Sequence, residues 1–129
     1  MRVLLDTHVW LRMWGEPQRL SNEARDVLED PATDLHVSAA SAWEIATKHA
    51  LGRLRLPTAP DEWLTDERHL DDVVEVPIRF PHAIRAASLP PHHRDPFDRI
   101  LIAQAQIEAL VLVSADAKLA TYEVETLRA

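Results

Sequence analysis

Four acidic residues stand where a buried element begins or ends. Asp6 follows the apolar run Val3-Leu4-Leu5, Glu44 opens an apolar helical stretch, Asp98 precedes Ile100-Leu101-Ile102, and Asp116 lies just beyond Val111-Leu112-Val113. Carboxylates brought together repel, and each raises its neighbours' pKa until a cation neutralises them. Oxygen ligands without cysteine, and without histidines at HExxH spacing, favour Mg2+ or Mn2+ over Zn2+. Mg2+ retains waters and shares its remaining positions with phosphate, so these acids point to metal-assisted attack on a phosphodiester. Thr7 and Ser114, each near a strand end, are candidates to support the carboxylates through hydrogen bonds, and Thr7 is equally suited to cap the helix after Asp6. Lys48 lies four residues beyond Glu44, one helical turn away.

The elements that position these acids are legible. In Arg94-Asp95-Pro96-Phe97-Asp98-Arg99, Asp95 is a good N-cap, Pro96 suits the first helical position, and Asp98 falls at the third. At about 100° per residue, Asp98 shares a stripe with Leu101, Ile102, Ala105 and Ala109, so its carboxylate points along the apolar face and needs a partner there. Helix capping is the local alternative for Asp98. Ser41-Ala42-Trp43-Glu44 likewise has the form of a capping box, which would turn Glu44 back to the Ser41 N–H.

Arg2-Val3-Leu4-Leu5, Leu35-His36-Val37, Val73-Val74-Glu75-Val76, Leu110-Val111-Leu112-Val113 and a short Val124–Leu127 read as strands, the third at an edge before Pro77. Helices are expected from His8 to Trp14, from Ser21 or Asn22 to Glu29, up to Leu51 before Gly52, from Asp61 to Leu70, from Pro81 to Ser88, and after Asp95. This alternation predicts an α/β fold, a mainly parallel sheet of four or five strands with helices on both faces. In such sheets ligands gather beyond the carboxyl ends of the strands, where the four acids fall.

Bulk properties narrow the function classes. The chain has 129 residues, 47% of them hydrophobic and 27% charged, which suits one domain spanning 1–129 with one substantial core. With no cysteine there is no disulfide framework, zinc-thiolate site or thiol nucleophile. No signal peptide or membrane-length apolar run is evident, so the cytoplasm is the expected location. Only two glycines occur, Gly15 and Gly52, which removes glycine-rich phosphate loops, dinucleotide fingerprints and the GxSxG elbow.

The formal charge of −7 argues against a general basic footprint for nucleic acid. Charge is unevenly spread, however: the segment from Arg79 to Arg99 also holds Arg85 and Arg94 and three histidines, against two aspartates. Arg85, His92, His93, Arg94 and Arg99 are therefore candidate phosphate contacts. The remaining histidines form no recognised constellation. Trp10, Trp14, Trp43 and Trp63 read as core residues, with Trp43, beside Glu44, the one whose place in the core is least secure.

Taken together, the blocks Val3-Leu4-Leu5-Asp6-Thr7-His8-Val9-Trp10, Ser38-Ala39-Ala40-Ser41-Ala42-Trp43-Glu44-Ile45-Ala46, Asp95-Pro96-Phe97-Asp98-Arg99 and Val113-Ser114-Ala115-Asp116 resemble PIN-domain proteins of the VapC toxin type, in the family's order and over nearly the whole chain. The resemblance implies a three-layer sandwich with strand order 3-2-1-4-5. It implies a metal-dependent endoribonuclease whose catalytic and metal-binding acids are Asp6, Glu44, Asp98 and Asp116, with Asp95 either supporting them or simply capping the helix. It further implies a homodimer held inactive by a VapB-like antitoxin in a higher assembly. On that reading the quartet holds one or two Mg2+ ions, and Asp98 or Asp116 orients the attacking water. A receiver-like Mg2+-binding signalling module is the rival from another class, disfavoured by a single acid after the first strand and no lysine near the end of Leu110–Val113. A catalytically silent PIN binding module is the other, disfavoured because nothing physical would preserve four uncompensated charges.

Overall fold

Alternate residues of a strand face opposite ways, and in Val3–Leu5 and Val111–Val113 both sets are apolar, the pattern of central strands covered on both sides. The computed structural model, which describes residues 1–66 and 73–129, has five strands: β1 (Arg2–Leu5), β2 (Asp34–Ser38), β3 (Val73–Val76), β4 (Val111–Ser114) and β5 (Thr126–Arg128). All pair in parallel, in the order β3-β2-β1-β4-β5, with Leu5 beside Val37 and Val113. Two of the expectations are met here, the edge position of β3 and the strand order.

Between the strands run α1 (Thr7–Gly15), α2 (Asn22–Glu29), α3 (Ala39–Ala50), α4 (Pro60–Thr65), α5 (Phe80–Ser88) and α6 (Pro96–Glu108). On one face Val3, Leu5, Val37 and Val113 pack with Val9, Trp10, Leu28, Ile45 and Trp63. On the other, Leu4 and Leu112 pack with Leu89, Leu101, Ile102 and Ala105. Each fully buried Val, Leu or Ile contributes about 1.5–3 kcal/mol, so these two layers fix the height at which the strand ends present their acids.

Away from the carboxyl edge of the sheet, element boundaries differ from the sequence reading in these ways. The helix expected over 61–70 is α4 as far as Thr65, and its remainder falls largely outside the described residues. Ala109 takes a left-handed conformation (φ 54°) and ends α6, with the Leu110 N–H returning to the Ala105 carbonyl; β4 therefore starts at Val111, and Ala109 leaves the apolar stripe. β5 begins two residues after Val124, which is held in a turn by the Tyr122 carbonyl. None of these shifts touches the carboxyl edge of the sheet. Among the described residues no helix is long and apolar enough to cross a membrane.

Candidate metal-binding acidic centre

β1, β2 and β4 are adjacent, so the chain segments leaving them lie side by side at the sheet edge. Asp6 leaves β1 and takes the N-cap position of α1, yet its side chain makes no capping bond. Instead the Ser114 hydroxyl, at the end of β4, donates to Asp6 Oδ2 at 2.6 Å, and the Asp116 N–H donates to the same Ser114 oxygen at 3.0 Å. Ser114 thus ties the first acid to the last. Burial pushes the Asp6 carboxyl above its usual range, against the lowering effect of the Ser114 bond.

Glu44 corrects the capping-box expectation. Helix α3 starts earlier than that motif required: Ser38 is its N-cap, with the side chain accepting the Ala40 N–H at 2.9 Å. Glu44 is therefore in the second turn, buried at 3% exposure, and free to face the sheet edge. Its Oε2 pairs with Lys48, as the one-turn spacing predicts. Its Oε1 is buried with no hydrogen-bond partner among the described residues. Ser41 and Thr7 have a different role: the Thr7 hydroxyl donates to Ser41 Oγ at 2.9 Å in a buried contact joining α1 to α3. Thr7 neither caps α1, of which it is the first residue, nor reaches a carboxylate with its hydroxyl.

At the N-terminus of α6, Asp95 does the capping, its Oδ1 accepting the Phe97 N–H at 2.9 Å and the Asp98 N–H at 3.4 Å. That leaves the Asp98 carboxylate for the basin. Burial, then the negative charges of Asp6, Asp95, Glu44 and Asp116, push its pKa up to about 8. A carboxyl opposed by four others holds a proton in place of a cation. Asp116 is the contrast. Burial works against its charge, but the Lys118 N–H and the His93 hydrogen bond outweigh burial and hold the carboxyl below its usual range.

His93 is the residue whose role the sequence did not disclose. The Asp95 N–H donates to its Nδ1 at 3.2 Å, so the hydrogen resides on Nε2. Nε2 then lies 2.9 Å from Asp98 Oδ2 and 3.1 Å from Asp116 Oδ2, a bridge between two acids rather than a phosphate contact on the rim. These three side chains each offer an atom within 4.8 Å of the others. The available signal was position: His93 lies two residues before an N-cap, within reach of whatever the third helical residue faces.

Arg99 is also reassigned. Its guanidinium donates to the carbonyls of Ala86, Leu89, Pro90 and His93 at 2.8–3.1 Å, a clamp on the turn between α5 and α6. Arg85 bonds Gln106 Oε1 at 3.2 Å on the far side of that helix pair, away from the acids. His92 and Arg94 remain exposed beside the basin, with the His92 ring 5.1 Å from that of Tyr122.

Carboxylate oxygens from Asp98 and Asp116 gathered around His93 Nε2, an orphaned buried oxygen on Glu44, and an Asp98 carboxyl whose pKa is raised by burial and by the surrounding acids fit a divalent cation. The same architecture is found in known proteins. A model of the PIN domain family matches residues 3–125. Ribonuclease VapC22 of Mycobacterium tuberculosis is 35% identical over 121 residues, 93% of this chain and 91% of the relative. Among solved structures, VapBC2 from Rickettsia felis bound to a DNA fragment from their promoter aligns with TM-score 0.74 at 10% identity, covering 99% of this chain and 98% of that one. FitAcB from Neisseria gonorrhoeae aligns with TM-score 0.67 at 22% identity, covering 99% and 97%. With the family match covering every segment that carries an acid and the relative covering nearly the whole chain, the chain belongs to the PIN-domain family and, within it, to the VapC group.

Proposed function

We propose that this protein is a Mg2+-dependent endoribonuclease, the toxin of a VapBC-type module acting in the cytoplasm. The observation that carries the reading is geometric: His93 Nε2 lies 2.9 Å from Asp98 and 3.1 Å from Asp116, while the Ser114 hydroxyl ties Asp6 to the Asp116 backbone, so acids distant in the chain meet at one sheet edge. Asp6, Glu44 and Asp98 are the residues to hold the ion, Glu44 through its unpartnered Oε1. The bound ion supplies the positive charge that polarises a phosphodiester and acidifies a water. Asp116, kept ionised, serves to accept the proton of the attacking water, with His93 Nε2–H fixing its orientation. Lys48 neutralises one oxygen of Glu44 and leaves the other for the ion. His92 and Arg94 meet the RNA backbone.

Purified protein incubated with total RNA should produce discrete new ends in Mg2+ and none in EDTA. Glu44→Gln, which keeps the shape and removes the charge, should reduce cleavage at least roughly a hundredfold, the scale on which metal sites respond to loss of a supporting ligand. Cleavage that persists in EDTA, or in Glu44→Gln, overturns the assignment.

The proposal extends to partners. A groove of about 750 Å³ beside α1 is lined by the apolar Leu11, Trp14, Leu54 and Leu56 and by Arg12 and Arg55, with Glu16 and Asp66 also among its lining residues. An antitoxin segment with apolar and acidic side chains fits it. A basic side chain from the same antitoxin suits the acidic basin, since a guanidinium can replace the cation. Phe80 and Ile84, one turn apart on α5 and 86% and 70% exposed, form the face for a second copy. Phe80→Asp should convert a dimer to a monomer in light scattering with little change in melting temperature, and an unchanged dimer moves the interface elsewhere.

A further inference from the structure

Two of the acids assigned to the ion each follow an aromatic residue: Glu44 follows Trp43, and Asp98 follows Phe97. The two rings meet edge-on, with centroids 4.9 Å apart and planes at 74°. This contact bridges α3 and the start of α6 at the rim of the acidic basin, yet it leaves Trp43 60% exposed. A tryptophan held in orientation by a neighbour while most of its surface faces water does not serve the core. Trp10 shows the alternative, meeting Trp63 edge-on at 5.6 Å while only 3% exposed.

The topology gives the pair a direction. Glu44 follows β2, Asp6 follows β1 and Asp116 follows β4, so the acids succeed one another across the sheet edge in strand order. Trp43, on the helix that follows β2, stands on that side of the basin, and Phe97 meets it from the start of α6. His93, with the exposed His92 and Arg94 next to it, flanks it on the β4 side. A chain crossing the basin meets cationic and polar groups at one end and a flat apolar surface at the other.

Resting on the nuclease reading, we infer that Trp43 is a stacking platform for one unpaired base adjacent to the scissile phosphate, with Phe97 as the ring that fixes its orientation. Only a nucleotide outside a duplex offers a free face, so this contact selects single-stranded RNA at the cleavage point and tolerates any base. It acts on substrate binding and leaves the acids untouched.

The test uses the full chain carrying Asp98→Asn to prevent cleavage, in Mg2+, with fluorescence anisotropy of a mixed-sequence pool of single-stranded RNA 12-mers and of the same pool annealed to its complement. Trp43→Leu should weaken single-strand binding roughly tenfold, and Trp43→Phe, which keeps a π face, should restore most of it. Duplex binding should not respond to either change. In the chain with intact acids, Trp43→Leu should raise KM by a similar factor and leave kcat within about twofold. Equal binding by all three proteins overturns the inference, as does equal weakening of single strand and duplex. A Trp43→Leu chain with altered oligomeric state, or with lost antitoxin binding and intact RNA binding, assigns the ring to a protein interface and also overturns it. If the intact chain cleaves RNA in Mg2+, those failures count against stacking alone. If it neither cleaves nor binds, the nuclease reading falls and takes the platform with it.

Discussion

Asp98→Asn should abolish RNA cleavage and, in chelator, make the protein more stable than the parent at pH 8. Both results come from the same crowding. In the folded parent, burial and the neighbouring acids raise the Asp98 carboxyl from 3.8 to about 8. Between those two values the folded state binds a proton that the unfolded chain has released. Stability is therefore fully present below about pH 4 and is lost as pH rises toward 8. At 1.36 kcal/mol per unit, and after screening by water that still reaches a side chain 14% exposed, the loss should be on the order of 2 kcal/mol. Asparagine has no charge to release, so melting temperature in EDTA should fall much less steeply from pH 5 to 8 in the variant. Asp6, also pushed up by burial, leaves a residual slope. Mg2+ should raise the parent's melting temperature most at the alkaline end and should affect the variant weakly. Identical pH profiles for the two proteins would mean that Asp98 does not carry the strain of the basin.

Much of that basin was legible because its parts are local. Asp95 and Pro96 announce a helix start, and the 100° step from Asp98 to Leu101 and Ile102 turns the carboxylate inward without reference to any other element. Buried strands at Val3–Leu5 and Val111–Val113 likewise place Asp6 and Asp116 at their ends. What the sequence hid depends on contacts between distant segments. Ser41 and Glu44 satisfy a capping-box pattern, but Ser38 wins the N-cap because β2 ends there, and α3 gains most of a turn upstream. Thr7 looks like a cap until α3 presents Ser41 to it across 34 positions. His93 and Arg99 both looked like rim cations, since a side chain's charge is visible in sequence while the carbonyls and carboxylates that capture it are not.

Arg99 offers the sharpest test of that last distinction. A phosphate-binding arginine on the surface can be replaced by lysine at small cost to folding, and its loss weakens RNA binding in a salt-dependent way. The Arg99 guanidinium instead spans four carbonyls, those of Ala86 and Leu89 at the end of α5 and those of Pro90 and His93 in the following turn. A planar fork with five donors meets that arrangement, and an ammonium with three converging on one atom does not. Hydrogen bonds to a charged donor contribute roughly 1.5–3 kcal/mol each and do not add, so Arg99→Lys should cost about 2–4 kcal/mol and lower the melting temperature by roughly 10 °C. Activity should fall as well, below the melting transition, because the released turn carries His93. Tyr122 is a second clamp on the turn, its hydroxyl donating to the Pro90 carbonyl and accepting the His93 N–H, both at 2.8 Å. With one of two clamps gone, His93 Nε2 should hold Asp116 less well, and cleavage should drop about tenfold at unchanged RNA affinity. Arg94→Ala supplies the opposite pattern: it is exposed, so its loss should leave melting unaltered and weaken RNA binding most at low salt. If Arg99→Lys behaves like Arg94→Ala, the clamp is not what Arg99 is for, and the histidine it positions loses its support in the argument for Asp116 as the proton acceptor.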